Sequence, residues 1–394
     1  MEQPVMLVLG TRPECIKLAP LYTALKKRNI PVKLCITGQH TDLVNDICEP
    51  LFGIQPDYQL DIMRPGQDLF YLTTQLLETL QIVLQTEKPR TVVVQGDTTT
   101  AFCASLAAFY LHIPISHVEA GLRTATVDAP FPEEFYRRTI GMSAAYHYAP
   151  TAYAVANLLK EGIARERIVL TGNTIVDAQR HITARIHSHE LTPGTVLKMI
   201  VETALLNKQK IILFTMHRRE SFGQPLLDAL QAITLITREH PDACVIYPAH
   251  PNPQVHEAIE KSGLRESSVH LLNPLPYHEL VYLLMHVSLV ITDSGGICEE
   301  AVSMGKQVLI TRDETERMEA VWHGTAQLVG THLEAIINHT NSVFSRNGHA
   351  HENNIFGDGH AAEYIAQHMQ RQWYAQQTYT MQISRVQSIL PTHL

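Results

Sequence analysis

Leu289-Val290-Ile291-Thr292-Asp293-Ser294-Gly295-Gly296-Ile297-Cys298-Glu299-Glu300 is the stretch whose reading decides the fold. Its opening is a short all-apolar run of the kind that forms a strand buried on both faces. Ser294-Gly295-Gly296 breaks that strand, and the residues after it read as a helix. Such a turn makes an anion cradle, because glycines let backbone N–H groups approach a ligand and the helix start presents unpaired, partly positive donors. Two carboxylates one turn into the helix suit a phosphorylated sugar better than a bare phosphate, since sugar hydroxyls need acceptors. Taken alone, the stretch is equally a tight turn with a serine N-cap.

The same strand-then-turn pattern recurs in both directions along the chain. Towards the N-terminus lie the apolar runs 5–9, 31–36, 91–94, 113–118 and 168–170, with a short strand closing at Ala149-Pro150-Thr151. Nearer the cradle are 211–215, 244–247 and 269–272, and after it 306–310. Amphipathic segments fit helices at 43–49, 68–85 and 224–239, after Pro13 and Pro132, and at 361–377, whereas 341–354 reads as a surface loop. All-apolar strands alternating with helices predict parallel sheets covered on both faces. At 394 residues the chain exceeds one core and fits about two domains. The expected division is 1–172 and 173–364, with Thr171-Gly172-Asn173 as the crossover.

In such sheets ligands gather beyond the carboxyl ends of the strands. Arg12, Asp97 and Glu119 all fall there, Lys17 lies one turn into the first helix, and His217 follows a strand of the second half. A guanidinium fork plus an ammonium can hold a diphosphate. Each residue also has a plainer reading: Arg12 and Lys17 as surface charges, Asp97 as a helix cap, Glu133 and Glu134 as partners of a helix dipole. There is no GxGxxG fingerprint, so no nicotinamide cofactor is demanded.

Composition narrows the rest. A net charge of −8 argues against tracking nucleic-acid phosphates. Six scattered cysteines without a CxxC pair, and 22 histidines without HExxH spacing, suggest neither a disulfide framework nor a metal site. His349 and His351 read as solvated. No basic leader and no apolar run near the ~20 residues of a membrane span is evident. The expectation is a cytoplasmic protein that meets neither membrane nor nucleic acid.

Several strings occur together and in order: GTRPECIK at 10–17, TGQH at 37–40, GDTTT at 96–100, HVEAGLRT at 117–124, PEEFYRR at 132–138, HRRE at 217–220, the cradle itself, and TERME at 315–319. They resemble the motifs of the non-hydrolysing UDP-N-acetylglucosamine 2-epimerases, in register from about residue 5 to 330, and Gly357-Asp358-Gly359 resembles a late motif of that family. The resemblance implies two Rossmann-like domains in the glycosyltransferase-B arrangement, with the active site in the cleft between them. It further implies a C-terminal helix, about 365–394, that returns to the first domain, and a homodimer.

By matching position, Asp97, Glu119 and Glu133 resemble the family's acid/base carboxylates. Arg12, Lys17, His217, Leu280, Ser294, Gly295, Gly296, Glu300 and Arg317 resemble its UDP-sugar contacts, with Leu280 acting through its backbone. Gln39, His40 and His250 resemble part of an activating second UDP-N-acetylglucosamine site found in some members. The implied chemistry converts UDP-N-acetylglucosamine to UDP-N-acetylmannosamine for bacterial surface polysaccharides, without metal or redox cofactor. UDP is eliminated across C1–C2 to 2-acetamidoglucal and added back after protonation of the other face. Which carboxylate does which step is left open.

The pattern departs from the family at Cys15, at the 125–128 loop, and at Val302 and Gln307, none of them a charged site position. Two other activities share parts of it: a hydrolysing 2-epimerase that releases N-acetylmannosamine and UDP, and a glycosyltransferase of the same architecture.

Overall fold

The computed structural model describes residues 3–38, 43–64, 66–218, 221–266, 268–345 and 354–372. The strands are β1 Val5–Leu9, β2 Val32–Ile36, β3 Tyr58–Gln59, β4 Thr91–Gln95, β5 Ile115–Val118, β6 Tyr146–Ala149 and β7 Ile168–Leu170 in the first half. The second half has β8 Lys210–Thr215, β9 Ala243–Pro248, β10 Val269–Leu272, β11 Leu289–Thr292, β12 Gln307–Ile310 and β13 Ala326–Leu328. They form two sheets, ordered β3-β2-β1-β4-β5-β6-β7 and β10-β9-β8-β11-β12-β13. Every pairing is parallel.

Helices cover both faces. In the first half they are α1 Arg12–Lys27, α2 Glu49–Phe52, α3 Leu69–Glu87, α4 Thr99–Tyr110, α5 Glu133–Ser143 and α6 Ala152–Lys160. They continue as α7 Thr174–His187, α8 Thr195–Leu206, α9 Gln224–Glu239, α10 Pro253–Lys261, α11 Tyr277–His286, α12 Gly295–Ser303, α13 Met318–Trp322 and α14 Leu333–Ser345. The apolar strands are the reason for this layering. Met6, Val8, Val92 and Val94 face the core under α3 and α4, while Leu7, Leu9, Leu34 and Val93 face the core under α1. Sheets with both faces covered need such uninterrupted apolar runs.

Strand order reverses between β1 and β4 in the first sheet and between β8 and β11 in the second. At such switch points the connections diverge to opposite faces and leave a crevice beyond the strand ends. The two halves are tied by α7, which packs on α1 and also on α11 and α12. The helix at 361–372 leans on the first sheet: His368 Nδ1 lies 3.1 Å from the Tyr148 hydroxyl, and Arg28 Nη1 donates to Gln370 Oε1 at 2.7 Å. Asp177 in α7 receives the backbone N–H groups of Ala361 and Ala362.

Two expected elements differ. Instead of a regular helix at 43–49, a wide π-turn at Val44–Cys48 leads into α2, where Pro50 has no N–H to return to the preceding turn. Asn341 to Ser345 is the last part of α14 rather than loop, because Val343 and Phe344 pack on the second core. His349, His351 and the chain beyond 372 lie outside the described residues.

Candidate functional site

The first wall of the site is the carboxyl edge of β1, β4 and β5. Glu14, fully buried at N3 of α1, accepts from the N–H groups of Gly10 and Thr11 at 2.9 and 2.8 Å and from Thr98 Oγ1 at 2.5 Å. It therefore locks the β1 turn to the start of α4. Arg12 opens α1 and is half-buried, whereas Lys17 is buried, so the surface-charge reading of Lys17 does not hold. Lys17 Nζ is paired with Glu119 Oε2 and lies 3.4 Å from Glu299 Oε2, across from the other sheet.

Glu119 follows β5 with φ +64, in the left-handed region that a residue with a Cβ adopts at a cost of about 1 kcal/mol. Strain of that kind concentrates at functional sites. Gly121, two residues on, packs so closely that a Cβ there would lie 2.3 Å from the Ala154 carbonyl oxygen. Gln95 Nε2 donates to Glu119 Oε2 at 2.9 Å. Burial pushes the Glu119 carboxyl up, while Lys17 and Arg317 oppose that rise.

Asp97 is not the cap of α4; Thr98 is, accepting the Ala101 N–H at 3.0 Å. Asp97 Oδ2 instead receives both Nε, at 3.0 Å, and Nη2 of the buried Arg137. Glu133 begins α5 beside them. Burial pushes its carboxyl up, Asp97 adds to the rise, and Arg218 and Arg137 resist it. Its Oε2 is buried without a hydrogen-bond partner. Glu134, fully buried, backs Arg137 and accepts from it, from Arg138 and from the Thr124 N–H.

The second wall is the carboxyl edge of β8 and β11. Asp293, fully buried, takes the N–H groups of His217 and Arg218, each at 2.9 Å, and the Ser221 hydroxyl at 3.1 Å on Oδ2. That single carboxylate ties His217, Arg218 and Ser221 to the end of β11. Ser294 caps α12, and Gly295 leaves room for a guanidinium: a Cβ there would lie 2.6 Å from Arg317 Cζ. At Gly296 a Cβ would meet open space. Arg317 donates from Nε to Glu299 Oε1 at 3.0 Å, pairs with Glu316, and reaches Glu119 Oε1 at 3.7 Å.

Glu300 is buried beside the Tyr277 hydroxyl, and burial pushes it up to about 7, with hydrogen bonding to Tyr277 and the charge of Lys17 opposing. Leu280 sits on α11, partly buried against the core. The His250 ring stacks near that of His217, with centroids 6.2 Å apart. Gln39, His40 and the last two residues of the 217–220 string lie outside the described residues. Among the described residues no group of three or more His, Cys, Asp or Glu side chains is placed to hold a metal. No helix among them is long and apolar enough to cross a membrane.

Lys17, Asp97, Glu119, Glu133 and Arg317 thus stand at facing strand ends of the two sheets. Glu299, Glu316, Arg137 and Asp293 join them; sequence reading marked Glu299 only as one of two sugar-acceptor carboxylates and did not single out the other three as site residues. Arg137 was findable, since it lies four residues after Glu133 on the same helical face. Glu14 was too, as the fourth residue of the Thr11-x-x-Glu14 capping box. The ion pairing of Glu299 was not, because both adjacent acids are buried and the sequence does not reveal which one meets Lys17 and Arg317.

Comparison with known proteins identifies the family. The profile of the family described as UDP-N-acetylglucosamine 2-epimerase matches residues 23–370. A Yersinia pestis UDP-N-acetylglucosamine 2-epimerase is 44% identical over 92% of this chain and 96% of its own length. The structure of the Neisseria meningitidis UDP-GlcNAc 2-epimerase bound to UDP-GlcNAc superposes with a TM-score of 0.86 at 39% identity, covering 94% of this chain and all of that one. The S. aureus MnaA–UDP structure gives 0.85 at 35% identity, covering 95% and 97%. These structures share the two-sheet, glycosyltransferase-B-like arrangement found here. The chain therefore belongs to the UDP-N-acetylglucosamine 2-epimerase family.

Proposed function

We propose that this chain interconverts UDP-N-acetylglucosamine and UDP-N-acetylmannosamine by the non-hydrolysing route. The observation that carries the proposal is Glu119, poised on the first wall between Lys17 and Arg317, opposite the α12 start. Burial raises Glu119 towards the proton affinity a base needs at neutral pH, and the two cations keep it anionic. It takes the C2 proton as the C1–O bond breaks and its electron pair leaves with UDP, forming the C1=C2 bond of 2-acetamidoglucal. Glu133, raised by burial, returns a proton to the opposite face of C2, and the UDP oxygen re-adds to C1. Asp97, fixed by Arg137, completes the proton-handling set.

UDP must stay bound between the two half-reactions. The Ser294-Gly295-Gly296 turn, Arg12, Lys17, His217 and Arg317 would hold its diphosphate, where donors at a helix start stabilise departing negative charge. Glu300, buried near the start of α12, would accept a ribose hydroxyl, and the backbone of Leu280 would meet the uracil. His250 would belong, with Gln39 and His40, to an activating second site.

In this reading the lobes divide near residue 172, and the product serves bacterial surface polysaccharide synthesis. Six buried free thiols suit a cytoplasmic location. Exposed Phe70, Phe109, Tyr110 and Met142 on α3, α4 and α5 give a homodimer an apolar face.

The test is incubation with UDP-N-acetylglucosamine in heavy water, followed by proton and phosphorus NMR. Deuterium at C2 with UDP still esterified is expected. Stoichiometric free UDP would instead make the chain a hydrolysing enzyme, and no exchange at C2 would sink the epimerase reading.

A further inference from the structure

Glu299 lies on α12 next to the ribose-acceptor candidate, yet its carboxylate points to the other lobe. It is 1% exposed. Its two oxygens divide between two cations: Oε1 accepts from Arg317 Nε at 3.0 Å, and Oε2 lies 3.4 Å from Lys17 Nζ. Both cations also reach Glu119. The four side chains therefore close a ring of alternating charge, Lys17–Glu119–Arg317–Glu299, that spans the two sheets. Other acids face the ring: Glu316 pairs with Arg317 and Arg312, Glu300 adjoins on α12, and Glu319 lies within electrostatic reach.

Two buried cations against a single carboxylate would hold Glu119 as a weak base. With Glu299 sharing both cations and Glu316 drawing on Arg317 as well, Glu119 holds only part of each. We propose that Glu299 is a positioning residue that sets the proton affinity of Glu119 by drawing Lys17 and Arg317 partly away from it. Glu299 touches no reacting atom; it acts through the two cations it shares, and because one comes from each lobe it links lobe apposition to base strength. The negative charge of Glu299 itself raises Glu119, in the same direction. This inference rests on the role given to Glu119 above.

The experiment compares kcat, KM and the pH dependence of kcat for wild type, Glu299→Gln and Glu299→Asp, reading C2 deuterium exchange. Glu299→Gln keeps shape and removes charge. It is expected to lower kcat about tenfold with KM within about threefold of wild type, and to move the acid limb of the kcat profile to lower pH. Glu299→Asp retains the charge and is expected to keep the acid limb at its wild-type position. An unmoved acid limb in Glu299→Gln, or parallel losses in KM and kcat in both variants, would overturn the proposal and leave Glu299 a packing residue. Should Glu299→Gln not fold, a folded Glu299→Asp with an acid limb displaced from wild type would overturn it equally. Failure of wild type to exchange C2 would instead refute the epimerase reading, so the two failures are separable.

Discussion

The two strand-end walls of this protein are built from the same secondary-structure grammar and carry opposite chemistry. The first presents carboxylates, each in a different setting: Glu119 between two cations, Asp97 clamped by Arg137, and Glu133 half-buried with an unpartnered oxygen. The second presents donors, namely a glycine turn at a helix start, the N–H groups set by Asp293, and Arg317. In the proposed function the first switch point handles protons, and the second, with Arg12 and Lys17 of the first, handles the negative charge of UDP. A sheet edge thus fixes where a ligand sits, and the residues in the turns fix what happens to it.

Substitutions should separate the walls. The largest effects are expected from Asp97→Asn and Glu133→Gln, each lowering kcat by about 10² to 10⁴-fold while UDP affinity stays near wild type. Because burial raises Glu133, activity should fall as pH rises through its folded value, and Glu133→Gln should abolish that basic limb. Calorimetry with UDP alongside steady-state rates checks both.

On the other wall, Arg317→Ala should weaken UDP binding by about 10² to 10³-fold, the usual cost of removing one partner of a buried charge cluster. Gly295→Ala should cost at least about tenfold, because the added Cβ at 2.6 Å from Arg317 Cζ displaces that guanidinium. If either variant lost turnover with UDP affinity intact, the division between walls would fail.

A separate effect concerns stability. His117 and His147 face each other across β5 and β6, and burial pushes them down to about 4 and about 3. The unfolded chain binds these protons near pH 6.5 and the folded chain refuses them. Stability therefore drops as pH falls from 6.5 towards 4, by on the order of 3 kcal/mol per histidine at pH 4. Thermal melts of His147→Leu should show a flatter acid side. Smallest of all, Leu280→Ala should change UDP affinity less than about threefold if only its backbone meets the base; a larger change in a calorimetric titration would assign the side chain a direct role.

The sheets were legible because apolar runs such as Val5–Leu9 and Leu289–Val290-Ile291 are long, continuous and bounded by turn residues. The two-residue strand β3 at Tyr58–Gln59 carries no such run, and only pairing with β2 defines it. The wide turn at Val44–Cys48 was equally invisible, since local pattern does not distinguish it from a regular helix. In the site, strand-end residues were readable from their place in the chain. The pairings that tune them were not: Arg137 shares a helical face with Glu133, but its meeting with Asp97, 40 positions away, and that of Glu299 with Lys17, 282 positions away, leave no local signal. Such distances in sequence are set by the tertiary fold alone.

The division between the walls is tested most directly by one preparation, Glu119→Gln, assayed for both C2 deuterium exchange and UDP binding. The account predicts exchange reduced by at least about 10³-fold, with a UDP Kd within about threefold of wild type, since the second wall and both cations remain. Loss of exchange and of UDP affinity by the same factor in a folded protein would contradict it, making Glu119 a strut between the lobes rather than the base.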